Sequence, residues 1–565
     1  MTDSNTCPVC GEETSEEVSQ YIYWCYECNT PIIQPNTGLR DFCPVCGVKT
    51  RRLVSDIRPV FPEERLLFEL ISGLEPNSLV EKSVWANNSR YYIDGEAHPV
   101  TVEDILSCDP EELRRGIEHY SRQNSYESFH ENISRFIRAN TGRLTELTRE
   151  ALAFISENAS SFPEENIVVW FSGGKDSTVT ADLVVRALGN PYIVHIFGNT
   201  TLEFPSTIEY AKRFREDHPL TVFKTAINND QKFYEVAQEI GPPARMMRWC
   251  CSMFKTGPIT RAFNSLYGSQ EVLTFQGIRK CESVSRSKYN RIESDAESVK
   301  INQQRSALPI FNWKNVDVWL YILAEDIDFN DAYRLGYERV GCWCCPNNNE
   351  RSELLARIYM PEEAEKWHDY LLNFACSIGK PDPEIYINEG WWKARQGGNG
   401  LAAAKSVKVE AEQCATEDDA ALFSLSRPFS EELVGLFCPV GEHAPGLGKR
   451  LLNEYVFLDH QTKEPLFSIM PFSNTHHENA VKVRIIQSEA SESVLMMAKY
   501  QVRKFNACRQ CLKCESLCRF GAIKILAGSY YIDASRCTHC RQCVTDKYLE
   551  GGCLMAKYLR TVKGE

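Results

Sequence analysis

Short apolar runs alternate with amphipathic stretches between residues 165 and 375. The strand candidates are "NIVVWF", "YIVHIF", "LTVFKT" and "EVLTFQG", and helix-like segments separate them. Such alternation is typical of parallel sheets, because each pair of parallel strands needs a long crossover connection. The pattern therefore predicts an α/β domain with a doubly wound parallel sheet over residues 165–375.

The flanking segments follow other patterns. Between Asn132 and Ser156 apolar residues recur at helical spacing, which predicts a helical segment before the sheet. The two ends of the chain are rich in cysteine. The predicted organisation around the α/β domain is a zinc ribbon over 1–50, a small mixed α/β domain over 51–130, a helical lead-in over 131–164, an accessory β-containing region over 376–500 and a ferredoxin-like domain over 501–565.

Composition is that of a globular protein, with 43% hydrophobic and 25% charged residues among 565. The net charge of −13 carries no whole-chain signature of nucleic-acid binding, although it leaves room for a local basic patch. We find no 18-residue apolar run and no secretory signal, so we expect a cytoplasmic protein without a membrane span. Most of the 24 cysteines lie in tight groups that contain CxxC pairs, which in a cytoplasmic protein indicate metal sites.

The stretch "FSGGKDS" follows four apolar residues, 167–170, and leads into the helix-like "TVTADLVVRAL". A helix that begins directly after a buried strand presents free backbone N–H groups and a partial positive charge, and glycines let a phosphate approach them. The spacing differs from the GxxxxGK[ST] loop of P-loop NTPases. We expect nucleotide phosphates to bind at Ser172, Gly173, Gly174, Lys175, Asp176 and Ser177.

At these residues the chain resembles the PP-loop ATP pyrophosphatases, which bind ATP, adenylate an acceptor and release pyrophosphate. Further stretches resemble the phosphoadenosine phosphosulfate reductase branch of that superfamily: "FGNTTLEFPST", "RWCCSMFKTGPI", "GIRKCESVSRS" and "LPIFNWKNVDVWLYI". The resemblance implies an adenine nucleotide alpha hydrolase-like fold. One departure is Asn199, where such proteins often carry an acidic residue.

Within this branch the loop resembles that of the ATP-cleaving members, because sulfonucleotide reductases usually lack its lysine. Lys175 can neutralise the additional phosphate charge of ATP. The resemblance implies that Lys175, Ser172 and Ser177 stabilise the leaving pyrophosphate, with Mg²⁺ bridging its oxygens. Arg279 and Arg286 are candidates for holding the α-phosphate or the acceptor. The predicted catalytic residues are Lys175, Asp176, Arg279 and Arg286.

A CC…CxxC set lies inside the predicted α/β domain and consists of Cys250, Cys251, Cys342 and Cys345. This set resembles the [4Fe-4S] site of adenylyl-sulfate reductases and of DNA-phosphorothioation pyrophosphatases, and four thiolates are what a cubane needs. Cys344 is a rival for the fourth ligand, and zinc on the same thiolates is the chemical alternative. The mobile Glu-Cys-Gly-containing tail of the sulfonucleotide reductases has no match in the final "LMAKYLRTVKGE".

Three evenly spaced CxxC pairs lie in the first 50 residues: Cys7/Cys10, Cys25/Cys28 and Cys43/Cys46. Two such pairs at this separation are typical of a four-cysteine zinc site. We expect Zn²⁺ to bind Cys25, Cys28, Cys43 and Cys46 in a structural role, because a closed four-thiolate site has no open position. The pair Cys7/Cys10 is a spare pair, an alternative pairing or half of a shared site.

Two cysteine runs near the C-terminus, "CRQCLKCESLC" and "CTHCRQCVTDKYLEGGC", resemble a bacterial two-cluster ferredoxin. In that family the fourth cysteine of each run ligates the other cluster, and the module carries electrons. The resemblance implies one [4Fe-4S] cluster on Cys508, Cys511, Cys514 and Cys553 and another on Cys537, Cys540, Cys543 and Cys518. Arg519 stands where a proline is usual, and nine residues rather than three precede Cys553.

Together these parts predict ATP-dependent activation of an acceptor for sulfur insertion, with up to three [4Fe-4S] clusters. Sulfur carried by the internal cluster or by a partner persulfide would displace the adenylate. DNA phosphorothioation and tRNA thiolation both fit, with a cysteine desulfurase or other sulfur donor and an electron donor as implied partners. The alternative is a ferredoxin-fused reductase that forms sulfite from phosphoadenosine phosphosulfate or adenylyl sulfate. A non-enzymatic iron-sulfur scaffold is disfavoured because the loop is intact.

Overall fold

The computed structural model describes residues 20–35, 42–268, 270–293, 304–394, 409, 411–414, 417, 419–475, 478–487, 491–526, 528–545, 549 and 551–559. Cys7 and Cys10 lie outside these ranges. Within the described chain the strands form five sheets: one in the largest α/β part, two in the segments before it and two in the segments after it.

The N-terminal sheet is antiparallel with the order β2-β1-β3. Its strands are β1 Gln20–Cys25, β2 Thr30–Pro35 and β3 Arg51–Val54. The hairpin pairs Cys25 with Thr30, so that its turn contains Cys28. This hairpin therefore sets the separation between the first two cysteines of the predicted zinc site.

A four-stranded antiparallel sheet with three helices follows. Its elements are β4 Arg58–Pro59, α1 Pro62–Ile71, β5 Val84–Asn87, β6 Arg90–Ile93, β7 Glu96–Pro99, α2 Val102–Ser107 and α3 Pro110–Tyr120. The buried carboxylate of Glu64 accepts hydrogen bonds from Arg58 at 2.5 Å and from Arg351 at 2.9 Å. Two guanidiniums surround one buried carboxylate, and one of them, Arg351, belongs to the larger α/β part. This buried network therefore joins the small sheet to that part.

One long helix, α4 Glu127–Ala159, covers most of the predicted helical lead-in. Its Asn140 side chain accepts a hydrogen bond from the Ile33 backbone N–H at 2.8 Å. One turn later, Arg143 donates two hydrogen bonds of 3.1 Å to the carboxylate of Asp317. The helix thus contacts the N-terminal hairpin and the α/β part through neighbouring residues.

The central sheet has the order β10-β9-β8-β11-β13-β12, and its first five strands are parallel. The strands are β8 Ile167–Phe171, β9 Val194–Asn199, β10 Val222–Ile227, β11 Val272–Gln276, β12 Ile292–Glu293 and β13 Gln304–Ala307. The helices around them are α5 Lys175–Leu188, α6 Pro205–Asp217, α7 Phe233–Ile240, a π-helix Cys251–Thr256, α8 Gly257–Tyr267 and α9 Asn315–Ala324. The predicted α/β fold with a parallel sheet is confirmed.

The strand order of this sheet reverses between β8 and β11. Ile167, Val168 and Val169 of β8 are fully buried, because helices cover both faces of a central parallel strand. In open α/β sheets ligands bind outside the carboxyl ends of the strands at such a reversal. The segments that follow these two strands, around Ser172 and Arg279, are therefore placed together.

Helices α10 Glu350–Tyr359, α11 Pro361–Ser377 and α12 Pro383–Asn388 follow the central sheet. The next sheet is antiparallel with six strands: β14 Ala411–Gln413, β15 Ala420–Ser424, β16 Glu442–His443, β17 Tyr455–Leu458, β18 Pro465–Phe472 and β19 Ala480–Ile485, with α13 Glu431–Leu436 after β15. Phe457 and Phe467 stack across this sheet at 4.8 Å between ring centroids, in the core that it shares with α13.

The last described elements are α14 Ser491–Ala507, α15 Lys513–Leu517, β20 Ile523–Leu526, β21 Ser529–Ile532, α16 Gln542–Thr545 and α17 Leu554–Leu559. Strands β20 and β21 form an antiparallel hairpin between the two cysteine runs. Among the described helices, none combines the length and apolar character needed to cross a membrane.

Candidate nucleotide and cysteine sites

The predicted phosphate loop connects β8 to α5, and Gly174 is the residue that precedes the helix. Gly173 has a φ of +71°, and a Cβ there would lie 2.9 Å from a Thr207 methyl carbon, so a side chain would be strained as well as crowded. Ser177 closes the turn, because its Oγ accepts from the Ser172 N–H at 3.1 Å and donates to the Gly174 carbonyl at 2.8 Å. The result is a tight turn at a helix N-terminus, the arrangement that binds phosphate.

Two residues that sequence reasoning missed support this loop. Asn330 donates hydrogen bonds to the Gly173 carbonyl at 3.1 Å and to Thr207 Oγ1 at 2.9 Å. The Tyr333 hydroxyl accepts the Lys175 backbone N–H at 3.1 Å. Neither residue lies in a motif that marks it, and only the fold brings the segment after α9 against the loop.

A buried triad of charges occupies the start of α5. The Asp176 carboxylate accepts from Lys175 Nζ at 3.1 Å and from Arg279 Nε at 2.5 Å. Burial alone would raise the pKa of Asp176, but the adjacent Lys175 and Arg279 lower it to about 2. With all three groups ionised the triad carries one net positive charge, which suits a polyphosphate ligand.

The close approach of β11 to α5 explains how Arg279 reaches the loop. A Cβ on Gly277 would lie 2.4 Å from the Asp176 carbonyl oxygen and 2.7 Å from the Ser177 nitrogen. Glycine is therefore required for this backbone contact. The "GIRK" turn follows directly and places Arg279 on Asp176.

Arg286 forms an ion pair with Glu282, and burial lowers the pKa of Arg286. The Arg286 side chain also lines a cavity of about 310 Å³ at the carboxyl edge of the sheet. Ser172 of the loop lines the same cavity, as do Glu203, Lys255 and Gly341. The cavity therefore extends from the loop to the segments that carry the internal cysteines.

The internal cysteines come from two segments that the fold brings together. Cys250 precedes the π-helix that begins at Cys251, and a hydrogen bond with Cys251 followed by burial raises the pKa of Cys250. Cys342 forms an isolated β-bridge with Glu203, and its Sγ lies 3.5 Å from Thr200 Oγ1. The motif "FGNTTLEFPST" thus lies beside the CxxC.

The second segment contains three cysteines, Cys342, Cys344 and Cys345, whereas only two further cluster ligands are needed. Burial, and then the charge of Cys251 among the thiols, raises the pKa of Cys345, whereas burial and the charges of Cys342 and Cys345 raise that of Cys344. Cys344 belongs to the hydrophobic core at 5% exposure. Thiols of the two segments thus influence one another, Cys342 acting on Cys250 and Cys251 on Cys345, and the choice of four cluster ligands stays a prediction.

Residues 166–348 match the model of the phosphoadenosine phosphosulfate reductase domain. Over 184 residues the chain is 30% identical to the adenosine 5'-phosphosulfate reductase of Oceanobacillus iheyensis, which covers 32% of this chain and 71% of that protein. The chain belongs to the phosphoadenosine phosphosulfate reductase family. The loop, the charged triad and the internal cysteines all fall within the reductase-family domain.

Other relatives cover different shares of the chain. An uncharacterized protein of Methanocaldococcus jannaschii is 33% identical over 278 residues, which is 49% of this chain and 55% of that protein. A second protein of the same organism is 30% identical, and the chain covers 61% of its length. The phosphoadenylyl-sulfate reductase structure from Candida auris is 19% identical and covers 35% of this chain and 94% of that one, with a TM-score of 0.28.

Outside the reductase-family domain, the N-terminal hairpin brings four sulfurs together. The Sγ atoms of Cys25 and Cys46 lie 3.5 Å apart, those of Cys28 and Cys43 lie 3.8 Å apart, and all four lie within 4.8 Å of one another. In a tetrahedral site with Zn–S distances near 2.3 Å the sulfurs are about 3.8 Å apart. The four thiols fit a zinc ion.

Replacing Cys43 should test the zinc site. We expect Cys43→Ser to lower bound zinc by about one ion per chain and to lower the thermal midpoint of unfolding, because structural zinc contributes folding free energy. Metal analysis and calorimetry under anaerobic conditions measure both. The exposed Cys376 offers the control Cys376→Ser. Zinc content equal to that of the unchanged protein would contradict the assignment.

In the first C-terminal set Cys511, Cys514 and Cys553 are buried and Cys508 is half-buried. After burial, the charge of Cys553 is the largest cause that raises the pKa of Cys508, which reaches about 12, and of Cys511. Burial and then the charge of Cys514 raise the pKa of Cys553 itself. The thiol of Cys553 thus interacts electrostatically with thiols of the first run, and the crossed ligand assignment stays a prediction.

The second C-terminal set surrounds a shared cavity lined by Cys518, Cys537, Cys540 and Cys543. Lys504 is buried between the two sets, where it donates a hydrogen bond to the Cys543 carbonyl. Burial alone would lower the pKa of Lys504, but Cys514, Cys543 and Cys553 raise it. A buried lysine at this position would offset the negative charge of metal-bound thiolates, and the two iron-sulfur clusters stay a prediction.

A further thiol, Cys438, was not predicted for this region. It lies within 4.8 Å of Cys537 and His539, and its hydrogen bond lowers the pKa of Cys537 to about 6. The His539 Nδ1 lies 3.7 Å from the Cys537 Sγ. Cys438 stands alone in "LFCPVG", so no CxxC spacing marks it, and the accessory sheet delivers it to the cysteine run.

Proposed function

We propose that this chain uses ATP to adenylate an acceptor with release of pyrophosphate, and that sulfur then displaces AMP from the activated acceptor. One observation carries the proposal: a single cavity is lined by Ser172 and Arg286 on the loop side and by Glu203, Lys255 and Gly341 beside the internal cysteines. A nucleotide bound at the loop and a sulfur atom bound at the cysteines would then lie in the same cavity.

The loop side supplies what cleavage between the α- and β-phosphates needs. Charge develops on the leaving pyrophosphate, and fixed donors aimed at that charge lower the barrier. The N–H groups at the start of α5 and the ammonium of Lys175 are such donors, and Asp176 holds Lys175 and Arg279 in place. Magnesium would enter with the nucleotide and offset part of its phosphate charge.

The cysteine side fits a [4Fe-4S] cluster on Cys250, Cys251, Cys342 and Cys345, which would supply electron transfer or bind sulfur. Glu203 is a half-buried carboxylate in the same cavity, and desolvation raises its pKa while Lys255 and Thr200 oppose that rise. A raised pKa favours the protonated form of a carboxyl group, and that form can donate a proton to a leaving group. Glu203 is therefore our candidate proton donor.

A persulfide as the sulfur source makes a reduction step necessary. A persulfide donor, R–S–SH, that displaces AMP leaves an acceptor–S–S–R disulfide bond. Two electrons and one proton cleave that bond to the thiolated acceptor anion and the free thiol, R–SH. The two C-terminal cysteine sets, read as a two-cluster ferredoxin module, would deliver those electrons from a partner donor.

We place the acceptor among nucleic acids, as a phosphate oxygen of DNA or a base carbonyl of tRNA, with a cysteine desulfurase as sulfur source. Either oxygen becomes a good leaving group once adenylated. The N-terminal four-cysteine hairpin, which fits zinc, is our candidate contact to that substrate.

The second candidate function is reduction of adenylyl sulfate or phosphoadenosine phosphosulfate to sulfite and the corresponding nucleotide. The name of the Oceanobacillus iheyensis relative favours it, and the C-terminal cysteine sets would supply its two electrons. The loop lysine favours ATP instead, because a sulfonucleotide brings less phosphate charge to this position.

One anaerobic experiment with iron-loaded protein distinguishes the two functions. We would supply [³⁵S]cysteine, a cysteine desulfurase, ATP, Mg²⁺, a low-potential reductant and either plasmid DNA or bulk tRNA, and count radioactivity in the purified nucleic acid. ATP-dependent labelling of one nucleic acid is the expected result. Absence of labelling, together with sulfite formed from adenylyl sulfate in the parallel reaction, would favour the reductase.

A further inference from the structure

The first C-terminal cysteine run contacts the reductase-family domain at every third residue. Each of its first three cysteines is followed by a residue that touches that domain: Arg509 after Cys508, Leu512 after Cys511 and Glu515 after Cys514. The spacing of three residues repeats the spacing of the cysteines. The contacts therefore come from the same turn of chain that holds the first cysteine set.

The middle contact joins the neighbours of two predicted ligands. A Cβ on Gly257 would lie 2.7 Å from Leu512 Cβ and also 2.7 Å from the Ser252 carbonyl oxygen. Leu512 follows Cys511, and Ser252 follows Cys251. The backbone beside the internal set and the Leu512 side chain beside the first C-terminal set thus both pack against Gly257.

Charged pairs flank this apolar contact. Arg261 of α8 donates to both oxygens of Glu515 at 3.3 Å and to the Ile525 carbonyl at 2.8 Å. The Glu515 side chain is buried, so loss of Arg261 would leave a buried charge without its partner. On the other side, Arg509 forms an ion pair with Glu239.

The second C-terminal set differs in exposure. Cys540 is exposed, and Phe520, which lines the same cavity, is 47% exposed. A protein donor can approach this set from solvent. The first set, by contrast, is held against the π-helix that carries Cys251.

We propose that Arg509, Leu512 and Glu515 form a docking face that makes the first C-terminal set the direct electron donor to the internal set, with the second set as the entry point. This inference rests on the proposed function, since it assumes iron-sulfur clusters at all three sets. Each step moves one electron from a reduced cluster to an oxidised one, and the first electron comes from a reduced low-potential protein. The face thus determines which cluster reduces the internal one.

The test variant is Arg261→Glu, which reverses the charge of the arginine that pairs with Glu515 and changes no cysteine. The probe is a reduced two-cluster ferredoxin freed of chemical reductant, mixed anaerobically with the full chain. Rapid-freeze electron paramagnetic resonance follows each cluster, and Cys250→Ser supplies the reference spectrum without the internal cluster. Arg215→Glu on the exposed face of α6 is the matched control.

We expect Arg261→Glu to slow reduction of the internal cluster at least about tenfold, with iron content and reduction of the C-terminal clusters unchanged. Glu515→Gln, which keeps an oxygen to accept the Ile525 N–H, should slow it less. Reduction of the internal cluster at the unchanged rate in Arg261→Glu overturns the proposal, as does an internal cluster that the ferredoxin never reduces. Formation of AMP, measured in the same preparations, reports separately on the proposed function.

Discussion

Lys175→Ala should lower the formation of AMP and pyrophosphate about 100- to 1000-fold, the usual cost of losing one donor to developing charge. Lys175 is 5% exposed and bound to Asp176, so its ammonium is held at the loop before ATP arrives. Removing it also leaves Asp176 with Arg279 alone, which lowers the local positive charge that attracts a polyphosphate. Initial rates with saturating ATP and Mg²⁺ measure the loss.

Two variants control this prediction. Lys175→Arg keeps the charge and should retain part of the activity, although the guanidinium does not reproduce a point charge. Lys212→Ala removes an exposed lysine of α6 that pairs with Glu216 and should leave the rate unchanged. Full activity in Lys175→Ala would contradict the role assigned to the loop.

Cys345→Ser should remove about four iron atoms per chain, whereas Cys344→Ser should keep them, because a cubane needs four thiolates in place. The thiol of Cys345 interacts with that of Cys251 on the facing segment, whereas Cys344 is packed in the hydrophobic core. Iron and acid-labile sulfide in anaerobically purified protein give the count. Cys376→Ser is the control.

The reverse outcome, iron lost in Cys344→Ser and kept in Cys345→Ser, would move the fourth ligand to Cys344. Iron content unchanged in both variants would contradict a cubane on this set. Circular dichroism separates loss of the cluster from loss of the fold, since Cys344→Ser places a hydroxyl in the core.

The central sheet was predictable because its strands are continuous apolar runs separated by helical segments. The "NIVVWF" run became β8, and its successors became β9, β10 and β11. The loop was predictable for a related reason, since its glycines and hydroxyls lie in one short stretch after a buried strand. In that stretch the residues that determine the turn are also the residues that would bind phosphate.

Contacts between distant segments could not be read from such patterns. Tyr333 reaches the Lys175 backbone across 158 positions of sequence, and Cys438 reaches Cys537 from the accessory sheet. The interface between Arg261 and Glu515 joins residues 254 positions apart. These contacts depend on how whole elements pack, and single polar residues on helices carry no periodic signal for that packing.

Analysis of the products of ATP incubated anaerobically with the iron-loaded chain and Mg²⁺ is the decisive measurement. We expect AMP and pyrophosphate in equal amounts, formed faster when nucleic acid is present and abolished with Lys175→Ala. ATP left intact in every mixture, with sulfite released from adenylyl sulfate by the same preparation, would contradict this expectation.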